Sequence, residues 1–402
     1  MPTSDQTDPA PLPLAGVRVI ELSHTIMGPS AGVILADLGA EVIKVEPAPG
    51  GDPTRRLPGF GAGFFAAFNR NKKSLCLDLK SGEGRNVLRR LAETADVLIE
   101  NYGPGTMERL GCGFEQLMAR NPRLICCALK GFLSGPYEAR PALDEVVQFM
   151  SGLAYMTGLP GQPLRAGSSV VDIMGGMFAV IGIQAALRER EITERGQIVK
   201  SALFESAAFL MTQHMAGMAV TGRPPPPMSM RNAAWGIYEP FATEDGEQVF
   251  VGITSDNHWH AFCGRFDRPD LLADPSYASN ADRVANRERL RPVVAEIVLR
   301  FPLAEIVPIL EQAGIPFSPV ARPEHLFEDP QLNAFGRMLA VTFPGNASAK
   351  LPRLPVEIGA HDFALRLQPP GVGEHTASTL SEIGMEEGEI ARLAAAGVIL
   401  CA

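Results

Sequence analysis

The sequence of 402 residues lacks most of the short signatures that mark metal, nucleotide or redox chemistry. Its six cysteines, Cys76, Cys112, Cys126, Cys127, Cys263 and Cys401, form no C-x-x-C pair. That excludes a zinc ribbon or a thioredoxin-type centre and leaves reduced, buried thiols in a cytosolic chain. Neither H-E-x-x-H nor G-x-x-x-x-G-K-[ST] occurs, and His258-Trp259-His260 has no third ligand beside it, so no metal is expected. No uninterrupted apolar run approaches the roughly 18 residues a membrane helix needs. Residues 1–13 are polar and proline-rich rather than basic and then apolar, so neither a membrane span nor export is expected. Positive charge is short as well: the formal net charge of −9 argues against a nucleic-acid partner, while a local basic groove for an anionic small molecule stays compatible with it.

What is present is the pattern of an α/β protein. Residues 17–22 and 41–46 read as strands around a helix at 29–39, a β-α-β unit that requires a parallel sheet. Strands at 74–78, 96–100, 124–129 and 197–201 alternate with helices at 84–93, 114–120, 145–155, 172–189 and 204–218. The helix at 172–189 is apolar on most faces and is expected to be buried. The proline run within 222–231 reads as an extended linker, and Glu244-Asp245-Gly246 as a hairpin turn. These features predict a doubly wound parallel-sheet large domain at 1–225, a smaller α/β domain at 226–325, and a segment at 326–402 that returns to the large domain and ends in one helix at 383–396.

Three places carry candidate chemistry. The turn from His24 to Gly32 opens a helix after the first strand, and with Glu46 closing the second it imitates a dinucleotide fingerprint; the G-x-G-x-x-G spacing is missing and Pro29 removes an amide. Cations at 69–74, with Lys80 and Arg109, lie near strand ends and suit a phosphate-bearing cofactor as a group. Asp172 stands at the start of an apolar helix, followed by Gly175-Gly176, where two readings stay open. It is either the helix N-cap or an ionised carboxylate nucleophile toward an activated acyl group.

Across nearly the whole length, the sequence resembles the family III CoA-transferases, a class that includes formyl-CoA transferase, the carnitine CoA-transferases and the α-methylacyl-CoA racemases. The likeness rests on residues 14–22, 38–46 with Gly51-Asp52, 71–75 and 100–105. It continues through 150–153, Thr157-Gly158, Val171-Asp172 and Gly246 to Ala313-Gly314-Ile315-Pro316 and Gly373-Glu374-His375-Thr376. The resemblance implies that Asp172 attacks an acyl-CoA thioester and carries CoA as an aspartyl thioester, with no metal. It implies coenzyme A contacts at Thr25, Leu77, Lys80, Asn101, Tyr102 and Arg109, and an interlocked homodimer. Pro47 stands where a family arginine often touches the adenine.

The expected activity is therefore transfer of CoA from an acyl-CoA, with succinyl-CoA as a candidate, to a small dicarboxylic acid. Arg231, in Arg231-Asn232-Ala233-Ala234-Trp235-Gly236, is the candidate for binding the second carboxylate in bidentate fashion. Racemisation of a 2-methylacyl-CoA is the alternative within the family, weakened by Leu143 where racemases carry a histidine. A nucleotide-dependent oxidoreductase and a non-catalytic CoA-binding protein are the alternatives from other classes.

Overall fold

Side chains alternate along the first strand, β1 (Arg18–Leu22): Val19 enters one apolar core and Ile20 the other, so the strand is covered on both faces. The same holds for β2 (Glu41–Pro47), β4 (Val97–Glu100) and β5 (Ile125–Lys130), which with β3 (Lys72–Leu77) and β6 (Ile198–Ala202) form a parallel sheet. The computed structural model describes residues 11–230, 234–343, 345 and 347–402. It divides into two units, one running to Ser229 and resuming at Gln331, the other Met230–Pro330.

The second unit contains β7 (Ile237–Ala242), β8 (Gln248–Ile253) and β9 (Phe317–Pro319), an antiparallel sheet around the core residues Trp259, Phe262 and Leu290. In the first unit, the returning chain adds the hairpin β10 (Met338–Thr342) and β11 (Ser348–Pro352), and then β12 (Ile399–Leu400). β12 pairs antiparallel with the edge strand β3. Before it, Gly373-Glu374-His375-Thr376 is sewn to β3 by His375 N to Ser74 O (3.0 Å) and Cys76 N to Thr376 Oγ1 (3.1 Å).

The large sheet has the order β12-β3-β2-β1-β4-β5-β6. The chain therefore runs outward from β1 through β3, then crosses back to β4 and runs outward the other way. The reversal between β1 and β4 is where open α/β sheets leave a crevice beyond their strand ends. Helices Gly82–Glu93 and Glu387–Ala395 cover one face, and Met27–Asp37 and Val170–Thr193 the other.

Several elements differ from the sequence reading, and the helix expected at 204–218 is two, Leu203–Leu210 and Thr212–Thr221. The helix expected at 383–396 begins only at Glu387 and runs to Ala395, because Gly384 takes φ +77° and separates it from a further helix, Thr376–Glu382. The helix expected at 145–155 is broken in the same way by Gly152 at φ +87°, into Asp144–Met150 and Leu153–Thr157. The helix Val170–Thr193 is longer than expected and only half covered, with Met177 and Ile181 50% and 61% exposed. It is long and apolar enough to cross a membrane by length and composition, yet it packs along Met27–Asp37 and against β5 and β6.

Candidate active site

The loops after β1 and β4 meet at the reversal point and are laced together. Asn101 Oδ1 accepts from His24 N at 3.1 Å, Asn101 Nδ2 donates to His24 O at 2.8 Å, and the rings of His24 and Tyr102 stack at 6.2 Å. Thr25, a β-branched residue, sits at φ +66°, a strained conformation for its type. It is held there by Thr54 Oγ1, which accepts from Thr25 N at 2.9 Å. Lys130, at the end of β5, secures the second loop through Glu100 (2.6 Å) and Tyr102 O (2.7 Å).

These loops wall a cavity of about 540 Å³ whose lining also includes Asp172, Asp144, Leu143, Glu138 and Arg140. Thr25, Asn101 and Tyr102 thus share one cavity with Asp172. Leu77 is buried in the sheet core, and Lys80 and Arg109, both exposed, lie outside this wall beyond the ends of β3 and β4. Neither cation has an ion-pair partner among the described residues; Arg109 donates only to Pro104 O and Thr106 Oγ1. Arg140, which the sequence reading missed, is exposed, stacks on Tyr137 at 4.0 Å and is likewise unpaired among the described residues. Arg231 lies outside the described residues.

Asp172 is in the first turn of Val170–Thr193, but it does not cap that helix. The cap is supplied by Asp144, whose Oδ2 accepts from Val171 N (2.9 Å) and Asp172 N (3.0 Å). The Asp172 carboxylate accepts no hydrogen bond among the described residues, and burial, followed by the neighbouring Asp144 charge, pushes its pKa up to about 7 against the weaker pull of Arg165. Gly175 and Gly176 let Met27–Asp37 come close: an added Cβ would lie 2.5 Å from Met27 Cε at the first and 2.1 Å from Ser30 Oγ at the second. The thin helix start thus admits the element that positions Met27 in the cavity wall.

Two sequence readings are corrected here. Arg70, Lys72 and Lys73 do not face a ligand; they pair with Asp37 (2.7 Å), Glu21 (2.7 Å) and Glu41 (2.6 Å), and Lys72 and Lys73 stand at the start of β3 rather than its end. Glu46 is not free for a ribose, because it accepts from Arg55 Nη2 (2.6 Å), Ser74 Oγ (2.6 Å) and Asp52 N (2.8 Å) while 1% exposed. The glycines that imitated a nucleotide loop serve packing instead: a Cβ on Gly32 would meet Glu21 Oε2 at 1.8 Å. Gly28-Pro29-Ser30-Ala31-Gly32 also spells the G-x-S-x-G of a hydrolase elbow, so the expectation from the sequence that no such motif is present does not hold. Ser30 is buried within a helix and donates to Met27 O, so it is no exposed nucleophile.

The model of "CoA-transferase family III" matches residues 14–376. The chain belongs to this family. It is 34% identical to a succinate–glutarate CoA-transferase of Agrobacterium fabrum, over 92% of this chain and 96% of that one. It is 32% identical to a succinyl-CoA:mesaconate CoA-transferase of Haloarcula hispanica, over 93% and 97%. Among solved structures, a CAIB/BAIF family protein from Brucella suis superposes with a TM-score of 0.84 at 33% identity, covering 93% of this chain and all of the other. A family III CoA-transferase has CoA thioesters as substrates.

Proposed function

We propose that this family III enzyme moves CoA from an acyl-CoA, succinyl-CoA in the first instance, to a small dicarboxylic acid, with Asp172 as the covalent carrier. The observation that carries the reading is the Asp172 carboxylate itself, desolvated, accepting no hydrogen bond among the described residues, and set in the same cavity as Thr25, Asn101 and Tyr102. A carboxylate in that state is a better nucleophile than a solvated or capped one. It attacks the thioester carbonyl, forming a mixed anhydride and expelling CoA thiolate; the thiolate then attacks the aspartyl carbonyl, giving an aspartyl-CoA thioester and the free donor acid. The incoming acid reverses the two steps, so each bond broken is replaced by one of similar energy.

Lys80, Arg109 and Arg140 are assigned to the phosphates of CoA, since each is exposed and unpaired among the described residues. Leu77 keeps its family assignment only as part of the strand end that carries Lys80. The names of the two relatives point to succinate, glutarate and mesaconate as acids to try, and Arg231 remains the candidate for the second carboxylate on sequence grounds. Racemisation is disfavoured: Leu143 cannot carry a proton, and Asp144 is committed to the helix amides. Assembly as an interlocked homodimer is supported by the uncovered face of Val170–Thr193. Its Met177 and Ile181 line an apolar groove of about 660 Å³ with Val33, Ile34 and Leu354. We place the enzyme in the cytosol, where its free thiols would stay reduced.

The test is to incubate the enzyme with succinyl-CoA and glutarate, mesaconate, itaconate, oxalate or a monocarboxylate of matched length, and to separate the product thioesters, in wild type and Arg231→Ala. Preferential use of the longer dicarboxylates supports the substrate class. Equal use of the monocarboxylate overturns it, and an unchanged ratio in Arg231→Ala removes that residue.

A further inference from the structure

Two carboxylates share the cavity, and the protein treats them in opposite ways. Asp144, 7% exposed, is fully engaged: Oδ2 accepts the Val171 and Asp172 amides, Oδ1 accepts from Gln148 Nε2, and the Arg165 guanidinium is 3.9 Å away. Gln148 in turn accepts from Ala166 N at 2.8 Å, so the loop leading into the helix is tied to the same group. Asp172 accepts nothing from the described residues, although a carboxylate in a helix's first turn ordinarily folds back on the free amides there. Those amides are spoken for: Val171 and Asp172 by Asp144, and Ile173 by Ser169 O at 3.1 Å.

We infer that Asp144 is a positioning residue for the nucleophile: by taking the first-turn amides of the helix Val170–Thr193, it prevents Asp172 from capping its own helix and leaves that carboxylate to the thioester. The inference rests on the proposed role of Asp172 and adds a second residue to it. Asp144 also stands at the start of its own helix, Asp144–Met150, so its charge is held by two helix N-termini at once. Its negative charge acts on Asp172 as well, as the second cause of that group's raised pKa.

The other titratable or charged groups around Asp172 are few among the described residues. His24, Tyr102, Lys130, Glu138 and Arg140 line the cavity, and Arg165 pulls electrostatically on Asp172. Lys130 is occupied by Glu100, Arg165 approaches Glu145 at 3.5 Å, and Glu205, on the helix Leu203–Leu210 packed alongside, accepts from Leu133 N. The strongest like-charge neighbour of Asp172 is therefore Asp144, and its removal is the specific perturbation.

The experiment compares Asp144→Asn and Asp144→Ala with wild type in single-turnover formation of the covalent enzyme adduct from an acyl-CoA, across pH, alongside thermal melting and the KM for the acyl-CoA. Asparagine removes the charge but can still accept an amide; alanine frees both amides for Asp172 to take. The expected result is a rate loss of about tenfold for Asn and about a hundredfold for Ala, the scale of a misplaced reacting group. KM should hold within about twofold, and the acid limb should move to lower pH in both, further in Ala. An acid limb at the wild-type pH in a folded Asp144→Asn protein, or losses that merely track the folded fraction, overturns the inference. If Asp172→Ala still exchanges CoA, the proposed nucleophile fails instead, whatever Asp144 does. If Asp172→Ala is inactive while Asp144→Asn matches wild type, only the positioning role fails.

Discussion

Two buried groups of charges lie within the large unit, and they are built on opposite rules. Beneath the β1 loop, Glu21, Lys44, Asp52 and Lys72 are at most 2% exposed, and every charge has an opposite neighbour: Lys44 to Glu21 at 3.2 Å and to Asp52 at 3.0 Å, Lys72 to Glu21 at 2.7 Å. Burial pulls Lys44 down, yet Glu21, Asp52 and Glu46 more than offset it and its pKa ends raised; burial, with the like charge of Lys44, outweighs Glu21 at Lys72 and draws it down to about 8. In the cavity, Asp172 has a like charge beside it, against which Arg165 exerts only a weaker pull. The matched group anchors the loop that carries His24 and Thr25, through Lys44 Nζ to Ser23 O at 2.7 Å. The mismatched carboxylate is the proposed nucleophile.

Mutation should separate the two groups by readout. The largest effect is expected from Asp172→Ala, which should lower CoA exchange by about a thousandfold or more, as loss of a covalent nucleophile does, while the fold and CoA affinity stay near wild type. Exchange assays with calorimetric CoA titration check this, and full activity in a folded variant would erase the contrast. Next comes Lys44→Met, which takes from buried Asp52 its ion-pair partner, leaves Glu21 with Lys72 alone, and should cost about 3–5 kcal/mol in urea unfolding. A change under about 1 kcal/mol would mean that the matched group is not structural.

The pH dependence of stability sharpens the contrast. The Asp172 pKa in the folded protein, about 7, lies above its ordinary value, so the folded state binds more protons than the unfolded one between about pH 4 and pH 7. Stability from this group is full below that window and is lost as pH rises through it. Asp172→Asn should therefore melt higher than wild type at pH 8 and level with it near pH 4; equal melting at both would deny the desolvation. The smallest effects belong to Lys80→Ala and Arg109→Ala. Each should weaken CoA binding by about three- to tenfold at low ionic strength and less at high salt. Unchanged titrations at low salt would remove both from the site.

How much of this was legible in the sequence depends on the distance over which each fact is written. The β-α-β unit and the place of Asp172 at a helix start are local, carried by apolar spacing within a few residues. The glycine breaks at Gly152 and Gly384 are local too, and readable as helix ends, but apolar spacing on either side hid them. The cap on the Asp172 helix was not legible, because its acceptor is 28 residues upstream on another helix. The cations Arg70 and Lys72 looked available because their partners, Asp37 and Glu21, are reached only once the sheet and the helix over it are assembled. The apolar stretch after Asp172 predicted burial, while Met177 and Ile181 on that helix are exposed.

The central claim is a bond at one atom pair, and intact-mass measurement addresses it directly. Enzyme incubated with succinyl-CoA, quenched in acid and weighed whole should gain the mass of CoA less one water, mapped by peptide digestion to the segment containing Asp172. The same treatment of Asp172→Ala should add nothing. An adduct of that mass on another residue, or one that persists in Asp172→Ala, would contradict the account.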